Sequence, residues 1–218
     1  MTAFVPATSF FDIGIHLQVE TFAEYLDAIA PALDSQRAAL EARLQLQAQG
    51  LDEEQRQELY EHHGDHWHNL AVGFPARFFN SFLIAFCSWV ESELDGLSQM
   101  YERTNPDAMR LNEVAEKGLK RSRLYLKRVV GVQFPDAGPE WATLQALYRI
   151  RNQIAHADGA SRRLANNEQV LLLRYGCEGH DGVQRIALNE SFCRMALEAA
   201  RQFFADLEAV LPEAMKGW

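Results

Sequence analysis

The chain has 218 residues, 48% of them hydrophobic, which supports a sizeable core and excludes global disorder. Its net charge of -9 argues against an extensive nucleic-acid surface, because phosphate contacts need Lys and Arg. Three cysteines (Cys87, Cys177 and Cys193), with no C-x-x-C spacing, fit a reducing compartment and a cytoplasmic location. The opening MTAFVPATSFFD lacks a basic region followed by an apolar one, and no apolar run of about 18 residues is free of charge; neither a signal peptide nor a membrane span is expected.

Residues 1–19 read as irregular or extended, punctuated by Pro6 and Gly14. From Thr21 to Gln49, Phe22, Leu26, Ile29, Leu33, Leu40 and Leu44 recur at helical spacing, with Pro31 marking a kink or a restart. Leu51 to Glu54 turns into a second helix reaching about Tyr60. The segment Glu61 to His68, EHHGDHWH, then clusters histidines; Gly64 interrupts it, and it reads as a polar connector rather than a metal site. Phe74-Pro75 opens a helix from Arg77 to Tyr101, apolar on nearly all sides at first and acidic later, at Glu91, Glu93 and Asp95. Leu111 to Val130 predicts another helix. Within it, Lys117 to Arg128 reads KGLKRSRLYLKR, six basic residues and no acid. Lys120, Arg121, Lys127 and Arg128 are its candidate RNA contacts, or else a solvated face.

Pro139-Glu140 starts the helix on which the functional reading rests, Trp141 to Gly159, closed by Asp158-Gly159. Gln169 to Tyr175 and Val183 to Leu188 predict the two strands of a small β-hairpin around the turn residues Gly176 to Gly182. A last helix runs from a cap at Asn189 or Ser191 to about Val210. The fold class is therefore mainly all-α, a helical bundle with one small β-hairpin inserted before the C-terminal helix. Residues 1–73 form an N-terminal extended segment and helical hairpin. Residues 74–218 form the bundle, with the hairpin at about 169–188.

At about 100° per residue, Trp141, Leu144, Leu147, Tyr148, Ile150, Ile154 and Ala155 fill one half of the focal helix. Arg151 falls among them and needs a carboxylate, a carbonyl or a subunit seam. Gln145, Arg149, Asn152 and His156 form a polar stripe on the other side. Histidine exchanges protons near neutral pH, arginine can hold a phosphate through its transition state, and an amide can orient it. With the 2′-OH of RNA as nucleophile, no activated Ser or Cys is needed. One helix carries one histidine, so two copies about a two-fold axis would supply acid and base.

Arg151-Asn152-x-x-x-His156, behind the apolar helix FFNSFLIAFCSWVESEL, resembles the R-x4-6-H motif of HEPN domains. An R-x6-H reading would use Arg149. The resemblance covers somewhat over half the chain and nothing before about Phe74. It implies a metal-independent endoribonuclease of the toxin or antiviral-defence type, working as a homodimer, with an antitoxin or defence protein as further partner. Arg151, Asn152 and His156 would be catalytic, and Arg149 and Glu91 supporting; Glu91 or Glu93 could pair with Arg151. One branch of the family has a tyrosine two residues after the histidine, where this chain has Asp158. No cofactor, metal or membrane partner is expected. The competing expectation is a non-catalytic module of a defence complex that binds RNA, nucleotide or protein. A metal-dependent enzyme built on the histidine cluster is a third.

Overall fold

The computed structural model describes residues 9–156, 164–177 and 185–216. The described chain is all-α. Helix α1 spans Phe10–Gln47, α2 Glu53–His68, α3 Phe74–Thr104 and α4 Leu119–Tyr125. Helix α5 spans Pro139–His156, α6 Asn166–Arg174 and α7 Glu190–Val210.

Helix α1 begins at Phe10, eleven residues before the Thr21 start that the sequence pattern suggests. Ser9 caps it by accepting from the Asp12 N–H at 3.1 Å, and Phe11, Ile15 and Val19 form a buried stripe at four-residue spacing. The expectation of irregular chain up to residue 19 is thus corrected for its described part; Gly14 lies within the helix. The Ser9 hydroxyl also donates to Glu208, near the end of α7. The Phe11 ring meets Phe204 edge-on, with centroids 6.0 Å apart, so the N-terminal helix shares one apolar core with the bundle. Pro31 sits inside α1 without ending it.

A capping box between Asp52 and Gln55 opens α2, which runs through Gly64 to His68 rather than stopping near Tyr60. A π-turn at Asn69–Gly73 links it directly to α3. Leu40, Leu44 and Leu70 form a small second cluster between the outer ends of α1 and α2, with Leu59 packed on it. The run Glu53–Thr104 holds an 18-residue window of mean hydropathy 1.5, long and apolar enough by composition to cross a membrane. A core helix meets the same criterion, and α3 buries Phe82, Leu83, Phe86, Val90, Leu94 and Leu97 against its neighbours.

The single helix expected over Leu111–Val130 is broken. A 3-10 turn occupies Leu111–Glu113, Gly118 adopts φ +60°, and only Leu119–Tyr125 is α-helical before a π-turn at Leu126–Val130. Gly131, left-handed at φ 83°, ends that turn. Helices α5 and α7 then close the core, with Trp141 stacked on Phe203 at 5.4 Å and Phe134 edge-on to Trp141 at 4.9 Å.

The β-hairpin is a second correction. Its first strand lies in α6, where the Glu168 carboxylate accepts the Ala165 N–H at 2.9 Å and secures the first turn. Leu172 is buried while Val170 and Leu173 are exposed, an arrangement the run of apolar residues does not reveal. Residues 178–184, with the expected turn and the start of the second strand, lie outside the described residues. Residue 185 is an isolated β-bridge residue and no strand follows it among the described residues; this stretch is held by an Ala187 N–H to Cys177 carbonyl bond of 3.3 Å and by Asn80, which bonds Ile186 and Leu188.

Candidate functional site

Helix α5 ends at His156 in the described chain; Asp158 and Gly159 lie outside it. Trp141, Leu144, Leu147 and Ile150 are buried, as the helical projection requires; Ala146, outside that half, is buried too, whereas Ala155 is exposed. Tyr148, at the edge of this apolar half, and Arg151, within it, are half-buried.

Arg151 does not pair with a carboxylate among the described residues. Its Nη1 donates to Asn152 Oδ1 at 2.9 Å, and its guanidinium lies 5.7 Å from the centroid of the Tyr148 ring. Its Nε is buried with no hydrogen-bond partner. The two residues fall on different faces of the projection, but the long arginine side chain reaches across to the amide. Glu91 of α3 instead accepts the Tyr148 hydroxyl at 2.5 Å. Burial pushes the Tyr148 phenol up, and the Glu91 bond adds to that shift. Glu93 accepts the Trp89 indole N–H at 2.9 Å; burial raises its carboxyl and the indole bond opposes this. Cys87 lies within electrostatic reach of Arg151 and Glu91, yet burial pushes its thiol up to about 12, which makes it a poor nucleophile. His156 is exposed in the last turn of α5.

Arg149 is differently placed. Its Nε donates to Glu168 Oε1 at 2.5 Å, and Glu168 is fully buried although Arg149 is half exposed. A carboxylate that cannot move thus fixes the root of this guanidinium at the surface.

The polar stripe opens onto a cleft of about 600 Å³ between α5 and the chain at Ala115–Lys120. Gln145, Arg149 and Asn152 line it from α5, with Tyr148 at their side; Lys117 and Lys120 line it from the other wall. Gly118 makes this approach possible. A Cβ there would lie 2.7 Å from the Tyr148 hydroxyl, and the φ of +60° itself favours glycine. His156 does not line the cleft, so the described chain brings Asn152 together with Arg151 and Arg149 but leaves the histidine apart.

The basic stretch divides. Arg121 pairs with Asp95 at 2.5 Å, and the buried Ser122 hydroxyl donates to the same carboxylate. Arg123 and Lys127 share Asp136, whose carboxyl they hold below its usual range, Lys127 most strongly. Lys120 and Arg128 are exposed. Lys117 lines the cleft although it is not among the four candidate RNA contacts of the sequence; Gly118 after it is the signal of a break in the helix.

At the histidine cluster, the His62 and His63 rings meet edge-on at 5.0 Å on the continuous α2. Among the described residues no group of three His, Cys, Asp or Glu side chains is placed to hold a metal ion. No protein-family profile, curated protein or solved structure matches the chain.

Proposed function

We propose that the protein is a metal-independent endoribonuclease of HEPN type, a toxin or antiviral-defence effector acting in the cytoplasm. The observation that carries this reading is the placement of Arg151. A guanidinium set into the apolar half of α5, tied to Asn152 and to no acid among the described residues, keeps its charge for an anion from outside. One turn further on, His156 is exposed and can reach a bound strand. Three free, buried cysteines accord with a reducing compartment.

In the reaction the 2′-oxygen attacks the adjacent phosphorus and the bond from phosphorus to the 5′-oxygen breaks. The proton leaves the 2′-OH for one imidazole, and the 5′-oxygen takes a proton from another. The products are a 2′,3′-cyclic phosphate and a 5′-OH. Each chain offers one histidine in this helix, so a homodimer with two α5 helices facing each other supplies both. Arg151 stabilises the extra phosphoryl charge, and Asn152 holds Arg151 in place. An antitoxin or other defence protein would be the regulating partner.

The test is incubation of total RNA, in EDTA, with the wild-type protein, Arg151→Ala and His156→Ala. Cleavage by the wild type alone supports the assignment; equal cleavage, or equally intact RNA, in all three removes it. The second reading, a non-catalytic RNA- or nucleotide-binding module of a defence complex, is favoured by the net charge of -9 and by the acids that neutralise Arg121, Arg123 and Lys127. Tight RNA binding without cleavage would select it.

A further inference from the structure

We infer that the cleft between α5 and Ala115–Lys120 is a subsite for one nucleotide unit of a single-stranded RNA, with Lys117 and Lys120 on its phosphate. The inference rests on the RNA-directed reading of α5 and adds a place for the strand next to the bond cleaved. Its volume of about 600 Å³ suits a ligand of nucleotide size.

The chemistry of the walls is that of a phosphorylated nucleoside. Lys117 and Lys120 have no hydrogen bond or ion pair among the described residues, unlike Arg121, Arg123 and Lys127 from the same stretch. Two ammonium groups therefore remain for a phosphate, against one rim acid, Glu116. Gln145 and Asn152 present amides, which can both donate to and accept from a base edge or a ribose hydroxyl. Tyr148 supplies an aromatic wall.

The walls are also held in advance. Glu91 fixes the Tyr148 hydroxyl, buried Glu168 fixes Arg149, and Gly118 lets the opposite wall close to the phenol. These three contacts come from three different elements, so little side-chain ordering is left for the ligand to induce. Asn152, which lines the cleft, also accepts from Arg151. A strand in the cleft would thus continue toward the guanidinium assigned to the scissile phosphate. A single strand fits better than a duplex, because a flat base can enter a cleft of this size only when it is unpaired.

The experiment measures binding of a fluorescent single-stranded 12-nucleotide RNA in a His156→Ala background, where cleavage does not interfere. The RNA is titrated at several salt concentrations against this parent, against added Lys117→Ala/Lys120→Ala, and against added Arg56→Ala/Arg201→Ala. The last pair removes two cations that form surface pairs elsewhere. The lysine variant should bind more weakly and lose about 0.7 per lysine from the slope of log affinity against log salt. Its helical circular dichroism and melting should match the parent. Adenosine monophosphate should compete weakly with the RNA in the parent and not in the lysine variant.

Unchanged affinity and slope in the lysine variant would overturn the subsite, as would an equal loss in the control pair. Binding of the mononucleotide without the strand would overturn the assignment to RNA. Cleavage by the wild type with no lysine effect would refute the cleft alone. A lysine-dependent RNA complex without wild-type cleavage would refute the catalytic reading alone.

Discussion

The stretch KGLKRSRLYLKR holds two kinds of cation that look alike in sequence. Arg121, Arg123 and Lys127 are answered inside the fold by Asp95 and Asp136, so their charge fastens α4 and the turn after it to the bundle and the following loop. Lys117 and Lys120 face a cleft with no such partner among the described residues. A basic run is thus not one surface. Whether a cation can meet a phosphate depends on acids that lie many residues away, here Asp95 on α3 and Asp136 in the loop before α5.

The comparison breaks most readily at the cleft wall. Arg149→Ala leaves fully buried Glu168 with the Ala165 N–H as its remaining partner among the described residues, and should destabilise by about 1–3 kcal/mol in urea unfolding. Half exposure of the arginine keeps this below the cost of opening a wholly buried pair. An unchanged midpoint would mean that Glu168 does not hold Arg149.

Gly118→Ala attacks the same wall from the other side. The left-handed φ and the contact with Tyr148 should together cost about 1–3 kcal/mol, read as a lower melting temperature. A variant as stable as the wild type would show that the two walls need not approach so closely.

Asp136 sharpens the fastening half of the comparison. Its folded pKa is lowered by Lys127 and Arg123, so its contribution is present above the unfolded value of about 4 and lost as pH falls through the folded value. Asp136→Asn should therefore be less stable than the wild type at neutral pH, with the gap closing as the pH falls through the lowered folded pKa. A gap of the same size at both ends of the range would exclude the ion pairs as its source.

The smallest effect belongs to Lys127→Ala. Its exposed pair should be worth about 0.5 kcal/mol or less, and the salt slope of RNA binding should stay as in the parent. A slope reduced as much as by Lys120→Ala would erase the distinction between the two sets of cations.

Much of the architecture was legible because α3, α5 and α7 carry apolar residues at helical spacing over several turns. The start of α1 was not, because Gly14 suits irregular chain as well as a helix and the Ser9 cap lies ahead of the clear apolar periodicity. Helix α6 was not. Its nine residues hold a run of four apolar side chains, which suits a strand as well as a helix, and the decisive contacts of Glu168 with Ala165 and Arg149 are tertiary or capping interactions. At the site, the polar stripe of Gln145, Arg149 and Asn152 followed from periodicity. The second wall did not, because it depends on Gly118 folding back against Tyr148, 30 residues away in the sequence. A pairing of Arg151 with Glu91 or Glu93, one of the partners the sequence left open, is not seen among the described residues: Glu91 accepts from Tyr148 and Glu93 from Trp89.

The most direct test of the central claim is the chemistry of the RNA ends. Wild-type protein, incubated with RNA in EDTA, should leave 2′,3′-cyclic phosphate (or its 3′-phosphate hydrolysis product) and 5′-OH termini, and Arg151→Ala and His156→Ala should leave neither. Ends bearing a 5′-phosphate and 3′-OH, or cyclic ends made equally well by both variants, would contradict it.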